Sequence, residues 1–347
     1  MNVVIPNKKE YQGVVEVHGQ IDIRDFYYLG GQADADTVSI YMSLDSVRYR
    51  PNKNSKWIND LKVFNDAKIG KQKVISNNKM KIRLQGIDAP ELHLQIDLRS
   101  YPKIPKEKRD KMWKRKFRQH WGARAVYELG KYLVKKTNSD KHTIKAYAFS
   151  RVDKPSDVFD RYGRFVGDIM IVKSKTNLNQ WLVKNNWTFP DFYDSMTSEE
   201  ISILESKACI GKQKRYGIWA GQSDKLSIFD PEFYWKKTLK IDPKTDKGPL
   251  NIPKIFRRQV YYEEFKRADV SNDATLKNYL AKGKDKYYVK KEYFKKGEKA
   301  VKHKLSDLIN LNGKIKYGPG ELIFLEDSGY TLKDKNGNVI KDWDHIG

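Results

Sequence analysis

The stretch Lys81-Ile82-Arg83-Leu84-Gln85-Gly86-Ile87-Asp88-Ala89-Pro90-Glu91 decides how this chain is read. Lys81 to Ile87 alternates polar and apolar side chains and predicts a strand. The rest is a proline-stiffened turn that carries Asp88 and, three residues on, Glu91. Strand ends, unlike strand middles, can aim charged side chains at one shared pocket. Two other segments have the same form. Asp34-Ala35-Asp36-Thr37 opens an alternating strand, Thr37 to Met42, and Asp160-Arg161-Tyr162-Gly163-Arg164 precedes another, Phe165 to Val172.

Asp36 and Asp88 are hard oxygen donors of the kind calcium takes. Glu91 can hold a water beside such an ion. Arg83 and Arg164 offer planar forks that match a phosphate bidentately. The set amounts to a metal, a base and two phosphate clamps. Taken singly, each segment has a plainer reading: Asp-x-Asp is ordinary turn chemistry, Asp-Ala-Pro-Glu a loop, and Tyr-Gly-Arg a turn before a strand. Their order and their flanking strands set them apart.

In that order the three segments resemble the staphylococcal nuclease (thermonuclease) family, with Gly122-Ala123-Arg124-Ala125 and Gly217-Ile218-Trp219 also in place. The resemblance covers residues 20–222, approximately. It implies an α+β fold, a five-stranded OB-type β-barrel carrying three helices. It also implies calcium-dependent hydrolysis of phosphodiesters in DNA or RNA, leaving 3′-phosphate ends. Carried over by position, Asp36 and Asp88 resemble the calcium carboxylates, and Ala89 stands where the family donates a backbone carbonyl. Glu91 resembles the general base on the attacking water, and Arg83 and Arg164 the arginines that bind the scissile phosphate. Ala35 replaces the family's usual Gly, and Ala89 its common Thr, a change that a backbone ligand tolerates. Two other functions compete: a non-catalytic nucleic-acid-binding module on the same fold, and a structural component docked on a larger particle. Retention of all five charged positions favours the enzyme.

The charge balance agrees with a polyanionic substrate. With 68 Lys and Arg against 44 Asp and Glu, the 347-residue chain carries +24, which attracts nucleic acid first and an anionic membrane surface second. A Lys-rich compositional bias is the plainer explanation, since 16 of the basic residues are Arg. A hydrophobic content of 39% and an aromatic content of 12% suffice for a core and exclude wholesale disorder. The single cysteine, Cys209, excludes an internal disulfide framework and a zinc site of several thiolates. Flanked by Ala208 and Ile210 in a helical pattern, it is expected to be buried. The N-terminal run Val3-Val4-Ile5 ends at Pro6 and lacks a signal-peptide core, so a cytoplasmic or phage- and virion-associated location is expected over classical secretion. No apolar run is long enough to span a membrane.

Residues 1–222 are expected to form the nuclease domain, interrupted by a polar insertion at 44–79 and a basic stretch at 103–118. Pro231, Pro243, Pro249 and Pro253 mark 223–253 as a linker. Residues 254–347 are expected as a separate α/β extension of unknown fold, with a hairpin turn at Asn336-Gly337, and as the surface for any protein partner or particle. The basic stretch holds nine Lys or Arg. Within it Lys111, Lys114, Arg115 and Arg118 are expected to track phosphates, and Trp113 to stack on a base; a solvated face is the alternative. Helices are expected over Ala123–Lys136, Leu178–Asn185 and Ser198–Tyr216, the last opened by a capping box from Thr197 or Ser198 to Glu200.

Overall fold

Alternating side chains along five strands build a closed barrel. The strands are β1 (Gly13–Asp22), β2 (Thr37–Tyr41), β3 (Lys79–Leu84), β4 (Thr143–Val152) and β5 (Phe165–Ile171). Every second residue points inward: Val15, Val17 and Ile21 on β1, Met80, Ile82 and Leu84 on β3, and Phe165, Ile169 and Ile171 on β5 are all buried. The strand order is β4-β5-β3-β2-β1, and β1 closes the ring by pairing antiparallel with β4 from Gly13↔Val152 to Asp22↔Thr143. β3 and β5 run parallel. Closure leaves no unpaired edge within the ring. The expected five-stranded barrel with helices, an OB-like α+β fold, is therefore present. The structure, a computed structural model, describes residues 11, 13–26, 33–43, 46–59, 62–96, 104–113, 115–137, 142–226, 242–326 and 330–340.

The chain divides into two compact units that do not follow sequence order. The barrel unit comprises residues 9–87, 128–182 and 327–347. The insertion at 44–79 is part of it and is not a bare loop. Val47–Arg50 pairs with β1, Ile58–Asn59 pairs with Val47–Arg50, and Ile75–Ser76 pairs with β3. Trp57 lies under the guanidinium groups of Arg48 and Arg50, 4.4 and 5.0 Å from its ring centroid. Phe64 is buried edge-on against Phe159. The hairpin expected at Asn336-Gly337 forms, with Lys333 bridging Val339, and Leu332–Lys333 pairs with Lys68–Ile69.

The second unit comprises residues 88–127 and 183–326. Its helices are α1 (Lys106–Trp113), the start of α2 (Gly122–Lys136), α4 (Ser198–Lys214), α5 (Pro253–Arg267), α6 (Leu276–Lys282) and α7 (Lys290–Lys296); α3 (Leu178–Lys184) lies almost wholly in the barrel unit. A small sheet runs in the order β6 (Phe192–Tyr193), β9 (Leu322–Phe324), β7 (Lys286–Val289), β8 (His303–Lys304). One apolar cluster joins Ile96, Ile104, Met112 and Phe117 to Phe256, Val260 and Phe265 of α5. A second joins Ile255 and Tyr262 to the sheet and to α6.

The capping box forms as expected. Thr197 Oγ1 accepts from the Glu200 N–H at 3.2 Å, and the Glu200 carboxylate accepts from the Thr197 N–H at 2.9 Å. The expectation of a buried Cys209 is corrected: its side chain is exposed. α4 buries Ile201, Leu204, Ala208 and Gly211, a face set by helical spacing that residue 209 lies off. Among the described residues no helix is long and apolar enough to cross a membrane.

Candidate active site

The barrel unit gathers Asp36, Arg83 and Arg164. The register sets Thr37 opposite Arg83 between β2 and β3, and Val166 opposite Arg83 between β3 and β5. Asp36, 3% exposed, thus lies beside Arg83 and forms an ion pair with its Nη1. Thr37 Oγ1 donates to Asp36 Oδ1 at 3.2 Å and accepts from Arg164 Nη1 at 3.2 Å, linking the carboxylate to the second arginine. Arg164 is anchored by its own turn. Its Nε donates to Asp160 Oδ2 at 2.7 Å, while Asp160 Oδ1 accepts from the N–H groups of Tyr162 and Arg164 at 2.9 and 3.0 Å. The turn passes through Gly163 at φ +74°, a backbone conformation costly for any residue with a Cβ. Both guanidinium groups remain partly open to solvent, with side-chain exposures of 15% and 26%.

The second unit holds Asp88, Ala89 and Glu91, all buried. Gln119 fixes the Glu91 backbone from both sides: its N–H donates to the Glu91 carbonyl at 2.7 Å, and its Oε1 accepts from the Glu91 N–H at 3.2 Å. Gln119 Nε2 also reaches the Asn251 carbonyl at 3.0 Å. A Cβ on Gly122 would lie 2.8 Å from the Glu91 carbonyl oxygen, so the start of α2 can approach this turn only as glycine. From α5, Arg257 donates to both oxygens of Asp88, at 3.1 Å each, and to Glu91 Oε1. Burial disfavours the charge of Arg257, but the two carboxylates outweigh it and hold its pKa above the usual arginine value. One turn earlier, the Lys254 ammonium lies 3.7 Å from the Phe324 ring centroid and 4.7 Å from that of Tyr193. Burial holds its pKa below the usual lysine value, against the pull of Asp191.

The basic stretch is engaged with acids of its own unit. Arg118 was expected on a phosphate-tracking surface. It is instead buried, and its Nη1 donates to Asp246 Oδ1 at 2.9 Å. Asp246 Oδ2 accepts from the Ala123 N–H at 3.1 Å, capping α2. Arg115 Nη1 donates to both oxygens of the buried Glu264 at 2.9 and 3.0 Å. In both cases a buried carboxylate nearby holds an arginine that sequence alone would leave to solvent. Lys111 is exposed and pairs with Glu107 at 3.0 Å along α1. Trp113 is the last residue of α1, and Lys114 lies outside the described residues.

In donor chemistry Asp36, Asp88 and the Ala89 carbonyl suit calcium, being hard oxygens, and Asp88 already carries a cation in Arg257. Among the described residues no group of three His, Cys, Asp or Glu side chains gathers into a metal site. Thr37, Asp160 and Gln119 escaped the residue-by-residue reading. Asp160 and Thr37 stand inside quoted motifs and were traceable there; Gln119, Asp246 and Arg257 carry no local signal. No curated protein matches the chain. Residues 81–221, which include Arg83, Asp88, Glu91 and Arg164, match the family model for staphylococcal nuclease homologues.

Proposed function

We propose that this protein is a calcium-dependent nuclease that hydrolyses phosphodiester bonds in DNA, RNA or both and leaves 3′-phosphate ends. The observation that carries the reading is the convergence of Arg83 and Arg164 on Asp36 and Thr37 in a chain with a nuclease-family domain. Two guanidinium groups anchored by a carboxylate and a hydroxyl, yet partly open, are a preorganised seat for a doubly coordinated phosphate.

In the reaction, Arg83 and Arg164 hold the non-bridging oxygens of the scissile phosphate and take up the charge that develops on them. Glu91 accepts a proton from the attacking water, whose oxygen bonds to phosphorus as the bond to the 5′ oxygen breaks, and the leaving 5′ oxygen takes a proton from solvent. Asp36, Asp88 and the Ala89 carbonyl would hold the ion. Calcium held there would supply Lewis-acid stabilisation of the charge developing at the phosphate. Lys111 and its neighbours in the basic stretch lend sequence-independent attraction to the nucleic acid.

The test is incubation with single- and double-stranded DNA and RNA, with calcium or with a chelator, followed by analysis of the new ends. Cleavage only with calcium, leaving 3′-phosphates, is expected. Absence of cleavage in every combination overturns the enzyme assignment, and equal cleavage in excess chelator overturns the metal assignment.

A further inference from the structure

Arg257 belongs to the part of the chain beyond the family-matched segment, yet it touches two of the carboxylates assigned to catalysis. Its helix is firmly held. Ile255, Phe256 and Val260 are buried on either side of it, and the adjacent Arg258 donates Nε and Nη2 to Asp285 at 2.6 and 3.0 Å. The base of the Arg257 side chain is therefore fixed, while 26% of the side chain remains open to solvent. The guanidinium takes both oxygens of Asp88 in a fork and reaches Glu91 through the same Nη1.

A calcium ion bonds carboxylate oxygens at about 2.3–2.6 Å. Bound to the same Asp88 oxygens, it would lie within a few ångströms of the guanidinium, and like charges at that distance repel strongly even in a polar site. We propose that Arg257 and the divalent cation are alternative occupants of Asp88. Arg257 is then a resident site residue that holds Asp88 and Glu91 in place while the metal is absent, and it sets the calcium concentration at which the site fills. Metal entry requires the side chain to swing out through its open side, and the fixed helix returns it when the metal leaves. This inference rests on the calcium reading given above.

The experiment is calorimetric titration of calcium chloride into the full-length protein without nucleic acid, for the wild type, Arg257→Ala, Arg257→Gln and Arg257→Lys. Because calcium must displace Arg257 from Asp88 and Glu91 in the wild type, removing that competitor should tighten binding about tenfold or more in the Ala and Gln variants. Arg257→Lys should fall between them and the wild type, since it keeps the charge but loses the fork. Lys295→Ala, which removes an exposed charge elsewhere, should leave affinity unchanged. Circular dichroism identifies any variant that fails to fold, and Arg257→Gln, which keeps most of the side-chain length, stands in if the Ala variant does. Calcium binding by the wild type with equal or weaker affinity in the folded neutral variants overturns the competition and leaves the metal reading intact. Absence of calcium binding in the wild type and every variant overturns the metal reading, and the competition with it.

Discussion

Replacing Asp246 with Ala tests whether the second unit depends on a buried ion pair. The Asp246 side chain is 1% exposed and that of its partner Arg118 9%, so solvent screens the pair little. The carboxylate also caps α2 through Ala123 and lies 3.7 Å from His120 Nδ1. Removing one member of such a pair strands the other charge, at a cost of about 3–5 kcal/mol. The pH dependence has a definite sign. Burial raises the Asp246 pKa, but the neighbouring His120 and the charge and hydrogen bond of Arg118 outweigh it and hold the carboxyl below its ordinary value of 3.8. Its stabilisation is therefore whole above that ordinary value and is lost as pH falls through the lower folded one. Urea unfolding followed by circular dichroism should show Asp246→Ala less stable by about 3 kcal/mol or more near pH 7, with the deficit narrowing below about pH 4. In a double-mutant cycle, Arg118→Ala should cost much less in the Asp246→Ala background than alone. A deficit under about 1 kcal/mol, or strictly additive costs, would refute the reasoning.

Arg164→Lys keeps the charge but loses the fork that spans Asp160 and Thr37; turnover should fall on the order of 10²-fold with the fold intact, as steady-state kinetics and near-ultraviolet dichroism will show. Gly122→Ala sets a methyl group 2.8 Å from the Glu91 carbonyl; it should destabilise by about 1–3 kcal/mol in urea melts and lower turnover more than it changes substrate affinity. Glu91→Gln should retain nucleic-acid binding while losing turnover, checked by fluorescence anisotropy beside an end-point assay. Exposed Lys111 and buried Arg118 should part company: Lys111→Ala makes the logarithmic salt dependence of binding shallower by up to about one unit, with no change in the unfolding midpoint.

The barrel was legible because its signals are local. Two-residue alternation marks β2, β3 and β5, and the charged residues stand at strand ends, so Asp36, Arg83 and Arg164 could be paired on paper before the register brought them together. The capping box of α4 is likewise a four-residue pattern. The strands in the insertion were not legible, since Ile58–Asn59 and Ile75–Ser76 are two residues each, too short to carry a period. Cys209 misled because its immediate neighbours are small or apolar, whereas burial follows helical phase; Ile210 beside it is 61% exposed. The partners of the basic residues were beyond reach for another reason. Arg118 meets an acid 128 positions away, and Arg257 meets Asp88 across 169. Nothing in either neighbourhood predicts such a meeting; it follows from tertiary packing alone.

The apolar cluster shared by Phe117 and α5 also has a consequence for synthesis on the ribosome. Arg115 and Glu264 are separated by 149 positions, so Ile96, Ile104, Met112 and Phe117 have no counterpart to pack against until the later helix has been made. At translation speeds of roughly 5–20 residues per second, that interval lasts roughly 7–30 s. During it the Glu91 turn lacks Asn251, which Gln119 needs as an acceptor, and Asp88 lacks Arg257. A nascent chain halted after the family-matched segment should therefore expose a sticky, protease-sensitive Glu91 turn, while the barrel, in its own unit, is already able to close except at the pairing of Lys68–Ile69 with Leu332–Lys333. Arrest-peptide force profiling should therefore register a release of tension for the barrel and a second, separate one only after α5 has emerged.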